Sequence, residues 1–214
     1  MNWPVIIVVA VCAILAVTVA YLVDSRRFNL RKQILSSPPQ RSGLSGDLAP
    51  AYMTDDQIRA GSSLPPLTPD LIEAVERCVA DTEPLPVGYC SPDFITEASS
   101  HRAVLESPVI LLAEEATQFL DLSPAISVSR AQLTGFVLVA RHISPDVTAT
   151  LAMNAVAGKL RCLCVETEDL DPIAALTGAT IASATDLRSG YCPPAWLGTC
   201  ALWVSDEKNT WIQV

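Results

Sequence analysis

His101 and His142 are the only histidines in the 214 residues, and six cysteines lie outside the apolar N-terminal run: Cys78, Cys90, Cys162, Cys164, Cys192 and Cys200. These are the side chains whose types could support chemistry. A Ser-His-Asp hydrolase needs a histidine held between a nucleophile and an acid. No G-x-S-x-G elbow is present, and that elbow is what exposes such a serine on a sheet. His101 follows Ser99-Ser100 in a polar stretch, and His142 follows an apolar run beside Arg141. Both read as surface residues. Neither G-x-x-x-x-G-K-[ST] nor G-x-G-x-x-G occurs, so a backbone phosphate cradle has no support. There is no C-x-x-C pair. Cys162 and Cys164 sit in LRCLCV, where alternate residues share one face of a strand. They read as buried free thiols rather than as a metal or redox site. The expectation is a chain with no catalytic residues, no metal and no cofactor.

The elements that must position these residues follow an uneven plan. Residues 1–3 form a short N-terminus. Pro4 to Val23 (PVIIVVAVCAILAVTVAYLV) is a 20-residue run without a charge, long enough at ~1.5 Å per residue to cross a ~30 Å hydrocarbon core. It predicts one transmembrane helix. A cleaved signal peptide is the rival, but Met1-Asn2-Trp3 lacks the basic n-region that such a leader carries. Arg26, Arg27, Arg31 and Lys32 follow the span. The positive-inside rule then places the N-terminus outside and the rest in the cytoplasm, single-pass in the cell membrane. The same cluster suits anionic headgroups at the membrane surface. Residues 24–67 form this basic segment and a Pro/Ser/Gly-rich linker that reads as disordered.

Residues 36–214 carry 22 acids against 10 Lys/Arg, a net charge of −12. Such a domain repels nucleic acid, whose binding rests on phosphate neutralisation. A cytoplasmic location disfavours disulfides among the six cysteines.

Residues 68–86 read as a helix and connector. Thr68-Pro69-Asp70 supplies a cap, a first-turn proline and an acid at the positive dipole end. Beyond it the chain alternates. Strands are predicted at Pro108–Ala113, Phe136–Ala140, Leu160–Val165 and Ala179–Ala182. Helices are predicted across Glu114–Leu133 (interrupted near Pro124), from Ser144 to Ala157 with Gly158 as its stop, and over Asp171–Leu176. Cys200–Ser205 and Thr210–Val214 flank Asp206–Asn209 as a β-hairpin. The fold class is α/β: a largely parallel sheet flanked by helices, with an antiparallel hairpin at its edge.

Five segments in order carry a family resemblance: GYCSPDFIT, AVLESPVILLAEE, FVLVARHISPDVTATLAMNAVAGKL, DPIAALTGATIAS and LGTCALWVSDEKNTWIQV. Together they resemble the apical domain of GroEL-type (group I) chaperonins over residues 87–214, about 60% of the chain. The nucleotide-binding G-D-G-T-T motif of that family's equatorial domain is not found in these residues. The resemblance therefore implies neither ATP turnover nor a folding chamber. The loop and part of the helix that the family inserts after the third strand are also missing, since CVETEDLDPIAAL runs almost directly on.

In the family this domain binds non-native polypeptide, and the cochaperonin's mobile loop, in an apolar groove lined by two helices and the S-P-x-F turn. Carried over, Tyr89 and Phe94 match two aromatic contacts, and Asp93 stands where the family often has another. Leu122 and Ile126 fall near the contacts of the first helix. Thr148, Ala152 and Met153 take the three positions of the second, where the family prefers larger aliphatics at the first two. The resemblance implies a peptide groove that is thinned and faces clients with Tyr89 and Phe94. The expected function is a membrane-anchored, non-enzymatic polypeptide-binding module: a chaperone-like adaptor, or a decoy for chaperonin clients or cochaperonin. The alternatives are a structural subunit of a membrane complex whose groove is a fixed interface or packs on the Thr68–Glu83 helix, and a hydrolase built on one of the histidines.

Overall fold

The computed structural model describes residues 67–214. The expected transmembrane span at residues 4–23, the basic cluster and the linker lie outside the described residues. Among the described residues, no helix is long and apolar enough to cross a membrane.

Helix α1 (Pro69–Asp81) starts as its sequence demands, with the Thr68 hydroxyl accepting from the Leu71 N–H at 3.3 Å and proline in the first turn. A turn of 3-10 helix at Pro92–Phe94 and strand β1 (Ala103–Glu106) follow. The central sheet is built from β2 (Val109–Ala116), β3 (Phe136–Ile143), β4 (Cys162–Glu166) and the short β5 (Ile181–Ala182), in the order β4-β3-β2-β5. All of these pairings are parallel, with Leu111 beside Leu138 and Leu138 beside Cys164. Its strands are near-continuous apolar runs because helices or loops cover both faces. Strand β6 (Gly198–Thr199) pairs antiparallel with Val109 and Ile110 of β2.

The connections are helical: a 3-10 turn at Phe119–Leu122 running into α2 (Ser123–Gln132), then α3 (Pro145–Val156), α4 (Asp171–Thr177) and α5 (Ala184–Arg188). α3 begins where expected, capped by Ser144, and Gly158 just beyond its end has φ 63°, the left-handed conformation that glycine adopts without penalty.

Two expectations are corrected, and one strand goes unforeseen: β1, just ahead of the predicted strand from Pro108. Ser107 takes φ 44° and Pro108 cannot donate to a ladder, so the chain breaks into β1 and β2. The predicted helical stretch from Glu114 is β-strand through Ala116 and only becomes α-helix at Ser123. The C-terminal hairpin, β7 (Leu202–Ser205) and β8 (Thr210–Gln213), is not an edge of the parallel sheet. It forms a separate antiparallel sheet, β1-β7-β8, because β1 supplies the partner, with Val104 opposite Val204.

α1 covers that second sheet. Val75 and Cys78 pack with Val104, Leu202, Val204 and Trp211 in a cluster of their own. The helix's apolar face is spent on the antiparallel sheet, while Leu71 near its start lines a pocket together with Asp93 and Phe94.

Candidate functional site

α3 is the element around which the expected site residues collect. Val147, Leu151, Ala152 and Ala155 form its buried face. The Pro92–Phe94 turn and the Phe119–Leu122 turn both pack against it. The first of these is held from several sides. Its Ser91 hydroxyl accepts from the Asp93 N–H at 3.2 Å. Tyr89 forms an antiparallel bridge with Val165 on the free edge of β4, and the Cys90 N–H donates to the Cys164 carbonyl at 2.9 Å. The Tyr89 N–H donates to the Asp206 carbonyl in the hairpin turn at 3.0 Å, and its hydroxyl to the His101 carbonyl at 3.3 Å. At Gly88 an added Cβ would stand 2.2 Å from the Glu207 backbone, so the hairpin closes on the chain where only glycine fits.

The eight carried-over residues separate into two layers. Tyr89, Asp93, Thr148 and Met153 are half-buried, with part of each side chain at the surface. Phe94, Leu122, Ile126 and Ala152 are 1%, 0%, 7% and 3% exposed. The expectation that Phe94 faces clients beside Tyr89 is therefore overturned: Phe94 is a core side chain that roots the turn on α3. Two apolar residues that sequence reasoning passed over, half-buried Phe119 and the 75% exposed Leu120, stand on the other turn that packs on α3. Their signal was the QFLDLSP stretch, where Pro124 starts a new helix and leaves the preceding apolar residues outside it.

An apolar pocket of about 230 Å³ opens beneath the Pro92–Phe94 turn, with Phe94, Leu71, Leu105, Ala155 and Leu160 on its walls and Asp93 at its lining. On the other side of the turn, a depression of about 570 Å³ is lined by Tyr89, Pro92 and Ile95 together with Asp206, Glu207 and Lys208. Burial, followed by the negative charges of Glu207 and Asp206, pushes the Tyr89 phenol above its ordinary value.

Of the remaining chemistry-bearing residues, His101 lines the same depression as Tyr89. His142 Nδ1 lies 3.5 Å from Glu166 Oε1 in an exposed pair, and His101 is exposed with φ 55°. All six cysteines beyond the N-terminal run are free thiols, five of them buried. Burial pushes Cys162 and Cys200 up to about 12. Among the described residues no group of three His, Cys, Asp or Glu is placed to hold a metal ion.

This domain is homologous to GroEL/Hsp60 chaperonins. It is 27% identical over 123 residues to the mitochondrial heat shock protein 60 of Saccharomyces cerevisiae, covering 53% of this chain and 22% of that protein. It is 30% identical over 153 residues to chaperonin GroEL 5 of Bradyrhizobium diazoefficiens, covering 67% of this chain and 27% of that protein. The chain thus spans about a quarter of the length of these relatives, and the likeness is that of a domain. Among solved structures, the chaperonin gp146 from bacteriophage EL 2 (Pseudomonas aeruginosa), determined in the presence of ATP-BeFx, aligns with TM-score 0.45 and 14% identity over 61% of this chain and 28% of that one. No protein-family model matches the chain.

Proposed function

We propose that the chain is a membrane-anchored, non-enzymatic polypeptide-binding module. Its chaperonin-like domain holds extended or non-native segments against α3, without ATP hydrolysis. The observation that carries this reading is the half-exposed set of Thr148 and Met153 on α3 and Tyr89 on the β4 edge, in a domain homologous to chaperonins. Thr148 offers less apolar area than a larger aliphatic, at roughly 1–2 kcal/mol, so the binding is weak, in the range from micromolar to millimolar. Pro4–Val23 anchors the module and Arg26, Arg27, Arg31 and Lys32 lie at the cytoplasmic surface of the membrane. Tethering at the membrane suits an adaptor, or a decoy that competes for chaperonin clients or cochaperonin.

The test is fluorescence anisotropy of a reduced and alkylated, permanently unfolded protein titrated with the full chain. Saturable binding that Tyr89→Ser plus Met153→Ser weakens at least tenfold is expected. Binding unchanged by the double substitution, at unchanged stability, refutes the assignment. Resistance to alkaline carbonate extraction, with protease sensitivity of the C-terminal domain only after the cytoplasmic face is opened, checks the anchor and its orientation.

A second reading, a structural subunit of a membrane complex, is favoured by Leu120 and Leu133 standing 75% and 84% exposed, a state that a protein partner would relieve. A monomer in analytical ultracentrifugation with no co-purifying membrane protein speaks against it.

A further inference from the structure

Cys90 and Cys164 face each other across the seam that joins the Pro92–Phe94 turn to the central sheet. The antiparallel bridge between Tyr89 and Val165, with the Cys90 N–H donating to the Cys164 carbonyl at 2.9 Å, places residues 90 and 164 directly opposite one another. Hydrogen-bonded partners in such a pair have Cα atoms ~5.5 Å apart, within the roughly 4.4–6.8 Å that a disulfide spans. The two thiols are near enough for each to shift the other's ionisation. Cys164 is buried in β4, and its Sγ also lies 3.9 Å from Thr148 Oγ1 on α3. Cys90 is half-buried at the surface end of the pair.

We propose that Cys90 and Cys164 are a reversible oxidation site, a dithiol that closes to a disulfide and staples the Pro92–Phe94 turn to the edge of β4, with hydroperoxides as the oxidant. Cys90 is the attacking sulfur and Cys164 the resolving one. The neighbouring Cys164 thiol lowers the Cys90 pKa, whereas Cys164 itself is pushed up by Cys90 and by burial. Burial also raises Cys78, Cys162, Cys192 and Cys200, which keeps them in the unreactive thiol form.

In the first step the Cys90 thiolate attacks one oxygen of hydrogen peroxide. The S–O bond forms, the O–O bond breaks, and hydroxide leaves and takes up the thiol proton as water. In the second step the Cys164 sulfur attacks the Cys90 sulfenic acid. The S–S bond forms, the S–O bond breaks, and the departing hydroxide takes the Cys164 proton as a second water. Two thiols lose two electrons, and one peroxide becomes two waters. A dithiol reductant reverses the link by exchange. In the disulfide form the turn that carries Tyr89 and Asp93 cannot part from the sheet. In the dithiol form it is held by hydrogen bonds and packing alone.

The link is read by mass and is independent of polypeptide binding, so its failure and a failure of the binding assignment are distinguishable. The reduced full chain is treated with hydrogen peroxide and digested after thiol blocking. Expected are a 2 Da loss reversed by dithiothreitol, a Cys90–Cys164 cross-linked peptide, and maleimide labelling of native Cys90 at least tenfold faster than of any other described cysteine. Cys164→Ser is expected to replace the cross-link by sulfinic acid at Cys90, and Cys90→Ser to abolish the 2 Da loss. Sulfinic acid at Cys90 of the unsubstituted chain with Cys164 still blockable, or a 2 Da loss that persists in Cys90→Ser, overturns the proposal.

Discussion

The hydroxyl of Thr210 donates to the carbonyl of Val87 at 2.6 Å, joining residues 123 positions apart in the chain. This bond ends a directed series. The Trp203 indole N–H can only donate and does so to Ser205 Oγ at 2.8 Å. The Thr210 proton is committed to Val87, so Ser205 must donate to Thr210 Oγ1, at 2.8 Å. Trp203, Ser205 and Thr210 are all fully buried. With Leu85 and Thr210 exchanging backbone hydrogen bonds at 2.8 and 2.9 Å, the series fixes the strand-like approach to Tyr89. Thr210→Val strips the Ser205 hydroxyl of its acceptor and the Val87 carbonyl of this donor. It should cost about 2 kcal/mol in chemical denaturation, and Thr210→Ser should recover most of it.

Phe94 and Tyr89 are neighbours in sequence but should fail differently. Phe94→Ala empties a core position and should lower stability by about 3–5 kcal/mol, losing binding through loss of the fold. Tyr89→Ser at a half-buried position should cost about 1 kcal/mol and act mainly on polypeptide affinity. Denaturation midpoints and anisotropy titrations on the two single variants separate these outcomes. Equal stability losses would contradict the two-layer arrangement.

Thr148 and Ala152 lie on the same helix and should respond in opposite senses to enlargement. Thr148→Leu adds about 1–1.5 kcal/mol of apolar contact at a half-exposed position, tightening binding of an unfolded protein about tenfold. Ala152→Leu forces bulk into a site only 3% exposed and should destabilise the domain by about 1–3 kcal/mol without a gain in affinity.

Leu133 ends α2 in the left-handed conformation, φ 58° and ψ 30°, while 84% exposed. A branched side chain gains nothing from burial there and carries a backbone penalty of about 1 kcal/mol. Leu133→Gly should raise stability by roughly that amount, seen as a rise in Tm. If Leu133 sits in a partner interface, the same change should also weaken the assembly.

Alkaline pH should unfold the domain through its buried thiols. Cys162 and Cys200 are raised from an ordinary 9.0 to about 12 by burial. The folded state therefore binds more protons than the unfolded state between these values. The stabilisation is full below pH 9 and lost as pH rises towards 12, at about 1.4 kcal/mol per pH unit for each thiol. Denaturation under reducing conditions across this window should show the fall, and Cys200→Ala should reduce its slope by about 1.4 kcal/mol per pH unit. A slope unchanged by that substitution would mean that Cys200 ionises freely.

Local chemistry made much of the fold readable from sequence. Uninterrupted apolar runs such as Val109–Ala113 and Phe136–Ala140 are central parallel strands, because only strands covered on both faces tolerate that composition. Ser144-Pro145 at the start of α3 and Gly158 after its end act through atoms a few residues away, so their meaning survives without tertiary information. The order of the chaperonin-like segments also singled out the Pro92–Phe94 turn, which packs on α3. What the tertiary structure alone decided is which of the expected site residues are covered. Phe94 and Tyr89 have the same apolar character in sequence, yet one lies in the core and the other reaches the surface, since the turn docks on α3 through Phe94 while Tyr89 is held out on the β4 edge. β1 likewise joined β7 rather than continuing into β2, because a positive φ at Ser107 and the missing N–H of Pro108 broke the strand and a partner from the far end of the chain was there to pair with it. Caps and periodicity are short-range properties; burial and sheet partnership are set by side chains that only folding brings together.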